Sequence, residues 1–326
     1  MSRLSDFIGI SRKLGSSQLY VQGGGGNTSA KLPKKKIAVK ASGCLLREVS
    51  ANAGYVLMDL AKLVPYYSAP RFLAEGYPQN AVLGGPSLRP SMELAFHTLI
   101  PEVFVAHTHP VFINYFLCRR DAGRSLKELF PNETFQYVEY VPPGNPLAQR
   151  IFSGLLPDPG GNRVVFLQNH GLIVAGNSGG GVIRKTGLLC QEAMRRALSL
   201  DAPKFENPWL AAWHGGFVNR SKPVLDWLER SGGAFFPLFP DAAVFCQNAR
   251  TVQRASECGK GAFAFVPGLG IFYNCPKRKA RAIDEILFAN IYLLSAIPEK
   301  AQKRLAASET ALLGRMESEK YRRRMA

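Results

Sequence analysis

Residues 21–32 read VQGGGGNTSAKL, and the run of four glycines is the hardest feature of this chain to place in a fold. Glycine loses more conformational freedom on ordering than any other residue, so a folded chain keeps four together only where it needs bare backbone. Close approach of backbone N–H groups to an anion is one such need, and the polar side chains of Asn27, Thr28 and Ser29 follow at once. A flexible surface loop is the plainer reading of the same residues.

The rest of the chain has the texture of ordered protein. Its 326 residues are 46% hydrophobic and 20% charged, enough for one large domain or two ordinary ones. The longest apolar runs are too short or too interrupted to span a bilayer. The start, MSRLSDFIGISRKLG, offers no uninterrupted apolar segment and no small-residue cleavage site, so secretion is not expected. Cys44, Cys118, Cys190, Cys246, Cys258 and Cys275 lack CxxC spacing and read as reduced thiols in a cytoplasmic protein. The net charge of +17 and pI near 9.8 are concentrated in short clusters at 34–36, 119–120, 277–281 and 321–324. With no zinc-finger spacing, RNP-type motif or basic heptad region, these read as solvated charge on loops and helix ends rather than a nucleic-acid surface. They also suit the attraction of phosphorylated substrates.

Strand-like and helix-like segments are interleaved, which places the fold in the α/β or α+β class. SDFIGISRKLG reads as an opening amphipathic helix, and KIAVKAS and YVLMDL as strands. Ser91 caps a predicted helix SMELAFHTLI that stops at Pro101. In it Met92, Ala95, Phe96 and Leu99 fall at core-facing spacing, while Glu93 and His97 lie four apart on another face. VFVAHTHP reads as a strand ending at Pro110, RVVFLQNHGLIVAG as two strands meeting at an Asn-His-Gly turn, and GVIRKTGLLCQEAMRRALSL as a long helix. Past about residue 205 the texture changes, with Trp209 and Trp213 in a Pro/Gly-containing stretch. There AAVFCQ and AFAFV read as strands, before two closing helical patterns.

The histidines point to chemistry. His107 and His109 are two apart on a strand, so both imidazoles project from one face. His170, in the turn, can add a third nitrogen if the strands are neighbours. Three imidazoles with an open fourth position are the pattern of a catalytic zinc site, and imidazole also suits other divalent first-row metals. An HxH pair by itself is as often two half-buried histidines. Glu93 begins a helix just before the HxH strand, where a carboxylate beside a Lewis acid can shuttle a proton. A solvated first-turn glutamate is the plainer alternative. His97 reads as a packed, hydrogen-bonded residue outside the ligand set, and His214 is given no role.

Five separated segments, GGGNTSAKL, VKASG, PSMELAFH, AHTHP and LQNHGLIVAG, stand in an order that resembles the class II aldolase/adducin superfamily. The glycine-rich start, PSMELAFH, LFPDAAVF and the closing EKYR look closest to its rhamnulose-phosphate aldolase-like branch. That branch includes the aldolase portions of bifunctional aldolase–dehydrogenase proteins, though no Rossmann fingerprint is present here to suggest a dehydrogenase. The resemblance implies an α/β fold with α/β/α layers, built on a central, mostly antiparallel sheet flanked by helices. It also implies a catalytic domain over residues 1–205 and a smaller C-terminal α+β extension over 206–326. By the same resemblance His107, His109 and His170 are ligands of a divalent metal, with Zn2+ favoured over Mn2+, Co2+ or Fe2+. Glu93 is the acid/base residue, and Gly26, Asn27, Ser42, Gly43 and Ser91 hold the substrate phosphate. The implied activity is aldol cleavage of a phosphorylated ketose through a metal-stabilised enediolate; an epimerase or dehydratase would use the same residues. Adducin heads, which only bind, lack the metal histidines that this chain keeps. A homo-oligomer, with a tetramer favoured, and no membrane partner are expected. Met92 stands where the family often has a second small polar residue. A second acid is not placed by the resemblance, and Tyr115 and Tyr140 are candidates only because they lie near the motifs.

Overall fold

The computed structural model describes residues 2–69, 76–84, 88–157, 160–207, 210–246 and 249–320; Trp209 and the basic cluster at 321–324 lie outside the described residues. In chain order the first part forms α1 (Arg3–Gly15), β1 (Asn27–Leu32), β2 (Lys36–Lys40), β3 (Tyr55–Asp59), α2 (Leu60–Ser68) and β4 (Val82–Leu83). It continues through α3 (Leu94–Leu99), β5 (Phe104–Thr108), α4 (Val111–Leu117), α5 (Ala122–Leu129) and β6 (Gln136–Val138). Then come α6 (Asn145–Ser153), β7 (Arg163–Leu167), β8 (Gly171–Gly176) and α7 (Gly179–Ser199).

These strands make one eight-stranded sheet in the order β4-β3-β2-β1-β5-β8-β7-β6. Every neighbouring pair is antiparallel except β6 with β7, so the expected mostly antiparallel sheet is present. Strand alternation divides the apolar residues between two helical layers. Phe104 and Ala106 of β5 join the cluster under α1, α4 and α7, whereas Val105 joins the cluster under α2, α3 and α6. His107 follows Val105 by two and shares its face, where the Phe96 ring of α3 meets it edge-on at 5.7 Å between centroids.

Beyond residue 205 the chain adds β9 (Ala211–Trp213), β10 (Gly216–Asn219), α8 (Lys222–Ser231), α9 (Pro240–Phe245), β11 (Phe263–Val266) and β12 (Gly270–Tyr273). It closes with α10 (Lys277–Ala296) and α11 (Ala307–Arg315). A second, antiparallel sheet has the order β11-β12-β10-β9. The apolar cluster under α1, α4 and α7 continues without interruption into Val224 and Trp227 of α8 and Ile286 and Phe288 of α10.

Several local expectations are corrected. AAVFCQ is not a strand: residues 242–245 lie in α9, which Pro240 opens with a backbone angle already suited to a first helical position. Helix α3 begins at Leu94, not at Met92. The Ser91 side chain instead accepts from the Glu93 N–H at 3.3 Å in the turn before it. Met92 is therefore only half-buried and lines a cavity, and Leu99 is half-buried too, while Ala95 and Phe96 are in the core. Strand β5 ends at Thr108, one residue short of His109.

Candidate metal centre

The Asn-His-Gly turn between β7 and β8 carries His170 beside the end of β5. Asn169 takes up the strained left-handed conformation (φ 54°) that lets the turn close. His109, just past β5, is fixed by its backbone N–H, which donates to Tyr20 O at 2.8 Å. The result is a cluster of three buried imidazoles. His107 Nε2 lies 3.0 Å from His109 Nε2 and 3.3 Å from His170 Nε2. The three candidate ligand atoms all lie within 4.8 Å of one another. His107 Nδ1 faces Leu172 O at 3.2 Å and donates to it, which leaves the Nε2 lone pair for the cluster. Burial, then the neighbouring His109 and His170, holds the His107 ring well below the ordinary imidazole range, so it stays neutral.

These residues fit a divalent ion. Nitrogens about 2.0–2.1 Å from a tetrahedral zinc stand about 3.3 Å apart, close to the separations observed. Among the described residues Glu93, Asp241, Glu319 and Lys40 line the adjoining cavity, and all four are nearly inaccessible to water. A divalent cation held among the imidazoles would sit favourably beside these carboxylates.

Glu93 sits beside the cluster, with Oε2 3.5 Å from His107 Nε2 and Oε1 3.6 Å from His170 Nε2. A polar chain running back across β1 holds it. Asn27 pairs with His107 in the β1–β5 ladder, so both lie on one face. Its Nδ2 donates to Glu93 Oε2 at 2.8 Å, its Oδ1 accepts from His97 Nε2, and His97 Nδ1 meets Ser29 Oγ at 2.7 Å. Burial, with a smaller effect of Lys31, pushes His97 down to about 3, so this link is neutral. His97 thus stands outside the histidine cluster, as expected, and orients Asn27 rather than merely filling the core.

A narrow cavity opens over the cluster. Gly26, Asn27, Ser42, Gly43, Ser91, Glu93, His109 and His170 all line it, and His107 lies fully buried behind them. Sequence reasoning missed three charged lining residues, Lys40, Asp241 and Glu319. Lys40 ends β2 inside the VKASG segment, and its Nζ donates to Gly24 O at 3.1 Å. Its place at the buried end of a strand, two before Ser42, was the available signal. Asp241 and Glu319 come from the C-terminal region, inside the LFPDAAVF and EKYR segments that carried the resemblance to one branch but were given no site role. Tyr115 is buried under the opposite face of the sheet, and Tyr140 packs beside Val244 and Leu313; neither lines this cavity.

The glycine run is explained partly by this geometry. A Cβ at Gly25 would collide with Asp241 Oδ2 and stand 2.9 Å from His109 Nδ1. Gly26 (φ 66°) turns the chain against His107 O, where a side chain would also clash. Bare backbone is needed here because the histidine cluster is packed against it.

The comparisons with known proteins agree with this architecture. A curated protein of Bacillus subtilis (strain 168), described as the uncharacterized oxidoreductase YuxG, is 31% identical over 200 residues. That is 58% of this chain and 29% of YuxG, so the chain spans less than a third of that relative. Among solved structures, the N-terminal class II aldolase domain of a conserved protein from Thermoplasma acidophilum has a TM-score of 0.54 at 21% identity. The match covers 60% of this chain and 93% of that one, and supports the shared fold. A sugar-phosphate aldolase from Thermotoga maritima is also similar, with a TM-score of 0.47 at 16% identity over 62% of this chain and 97% of its own. Residues 5–186, more than half of the chain, match the Class II Aldolase and Adducin N-terminal domain, and the protein belongs to that family.

Proposed function

We propose that this protein is a metal-dependent aldolase that cleaves a phosphorylated ketose, or forms one in reverse. The observation that carries this reading is the set of three imidazole nitrogens, 3.0 and 3.3 Å apart, with both oxygens of Glu93 within 3.6 Å of them. His107, His109 and His170 hold a divalent metal, with Zn2+ favoured and Mn2+, Co2+ or Fe2+ as alternatives. When bound, such an ion supplies Lewis-acid polarisation of a carbonyl oxygen.

The remaining work falls to the chain's own side chains. Glu93 takes up or returns the proton that aldol cleavage moves, and its Asn27 hydrogen bond fixes the carboxylate for that transfer. Gly26, Asn27, Ser42, Gly43 and Ser91 hold the phosphate, with the Lys40 ammonium close by in the same cavity. Ser42 and Ser91 are brought together by two backbone bonds, Ser42 N–H to Arg89 O at 2.8 Å and Ser91 N–H to Lys40 O at 3.1 Å. Arg89 lines an adjoining cavity that shares Ser42 and Ser91, which makes this end favourable for an anion. Binding the phosphate away from the reacting bond orients the substrate.

On this reading residues 1–205 form the catalytic domain and 206–326 an extension that completes it. The protein works as a cytoplasmic homo-oligomer, with a tetramer favoured. Among the described residues no helix is long and apolar enough to cross a membrane. The test is aldehyde release from a panel of ketose phosphates and their unphosphorylated counterparts, using metal-loaded protein. The expected result is cleavage of a phosphorylated member, lost on chelation, with kcat reduced about 10²–10⁴-fold in Glu93→Gln while metal is retained. Metal-loaded protein that releases no aldehyde from any member overturns the reading.

A further inference from the structure

Asp241 belongs to α9, outside the stretch that matches the family, yet its Oδ2 lies 2.9 Å from His109 Nδ1. Both side chains are buried, exposed by only 2% and 5%. The segment leading to Asp241 is pinned from two sides. From α10, Asn290 Oδ1 accepts from the Leu238 N–H at 2.8 Å, and Asn290 Nδ2 donates to Phe236 O at 2.9 Å. From the histidine turn, Asn169 Nδ2 donates to Leu238 O at 2.7 Å and to Lys303 O at 2.6 Å. Asn169 immediately precedes His170, so one turn supplies an imidazole and anchors the segment that reaches His109. The glycine run forms the third wall, because any side chain at Gly25 would occupy the space of the Asp241–His109 pair.

An imidazole that ligates through one nitrogen is oriented by what its other nitrogen bonds, and a carboxylate there also raises its basicity. We propose that Asp241 is the positioning residue for His109. Its carboxylate faces Nδ1 at 2.9 Å, favours the Nδ1–H tautomer by its charge, and holds Nε2 toward His107 and His170, while Gly25 is bare so that the pair can close. The C-terminal region is then part of the metal site even though it supplies no ligand. This inference rests on the three-histidine reading.

The test measures Zn2+ affinity by competition with a chromophoric chelator for wild type, Asp241→Ala, Asp241→Asn and Gly25→Ala. It adds Co2+ absorption spectra and thermal unfolding of each metal-free form. Asp241→Ala is expected to bind about 10–100-fold more weakly with an altered Co2+ spectrum, and Asp241→Asn, which keeps an acceptor without the charge, less so. Gly25→Ala is expected to weaken binding with every donor intact. Asp241→Ala affinity within twofold of wild type, with an identical Co2+ spectrum, overturns the inference alone. If Asp241→Ala fails to fold, Asp241→Asn with wild-type affinity and spectrum does the same. No Zn2+ binding by wild type overturns the three-histidine reading and this inference with it.

Discussion

The family-matched domain and the region beyond residue 205 build the site in opposite ways. The first brings groups on strand ends and turns: three imidazoles, two serine hydroxyls and an asparagine amide, together with Glu93 and Lys40. The second brings carboxylates from helices and the segment after α11. Asp241 reaches His109, Glu319 lines the cavity, and Glu285 of α10 accepts the Gly23 N–H at 2.8 Å. Glu285 is buried, faces Arg281 at 3.1 Å, and so clamps the glycine run from behind. The difference teaches that the histidines and the carboxylates that face them need not come from the same stretch of chain. Donors depend on strand register, whereas the holding groups only need to arrive at the right place.

If that division is right, substitutions on the two sides differ in size and kind. The largest effect belongs to His170→Ala. Zinc-site binding energies of roughly 10–16 kcal/mol are shared among three or four ligands, so losing one should weaken Zn2+ binding about 100-fold or more. Isothermal titration checks this; a variant that binds as tightly as wild type removes His170 from the ligand set. Glu285→Ala comes next. It strips the buried acceptor from Gly23, and should lower unfolding stability by about 1–3 kcal/mol with faster hydrogen exchange through residues 23–26. Unchanged stability and exchange would mean that the glycine run does not depend on α10.

The smallest effect concerns pH. Burial holds neutral His97 down to about 3, below the roughly 6.5 of an unfolded histidine. The folded state therefore resists the proton, and this contribution is complete above the unfolded value and lost as pH falls toward the folded one. Metal-free His97→Gln should lose about 1 kcal/mol less stability than metal-free wild type between pH 7 and 5.5. Equal losses would show that His97 contributes nothing to acid sensitivity.

Much of the site was legible because its pieces are local. The HxH spacing, the Asn-His-Gly turn and the Ser-x-Glu segment each carry their own geometry, and their order carried the family and the sheet. Alternation in KIAVK and YVLMD was readable because each strand packs a different helical layer on each face. In AAVFCQ the consecutive residues Ala242, Ala243 and Val244 are all buried in α9, which erases the periodicity that separates helix from strand. Asp241 stayed hidden for a related reason: only tertiary folding brings α9 to His109. Bare backbone is required at Gly23, Gly25 and Gly26, where a side chain would clash, while Gly24 has open space around it. What the run packs against, a histidine–aspartate pair, could not be seen from residues 21–32.

The most direct test of the central claim is an anomalous-scattering map from crystals soaked in Zn2+. The account predicts a single strong peak about 2.0–2.1 Å from the Nε2 atoms of His107, His109 and His170, with Glu93 beside it. Zinc peaks only elsewhere, with the three imidazoles unligated in crystals that have taken up the metal, would contradict it.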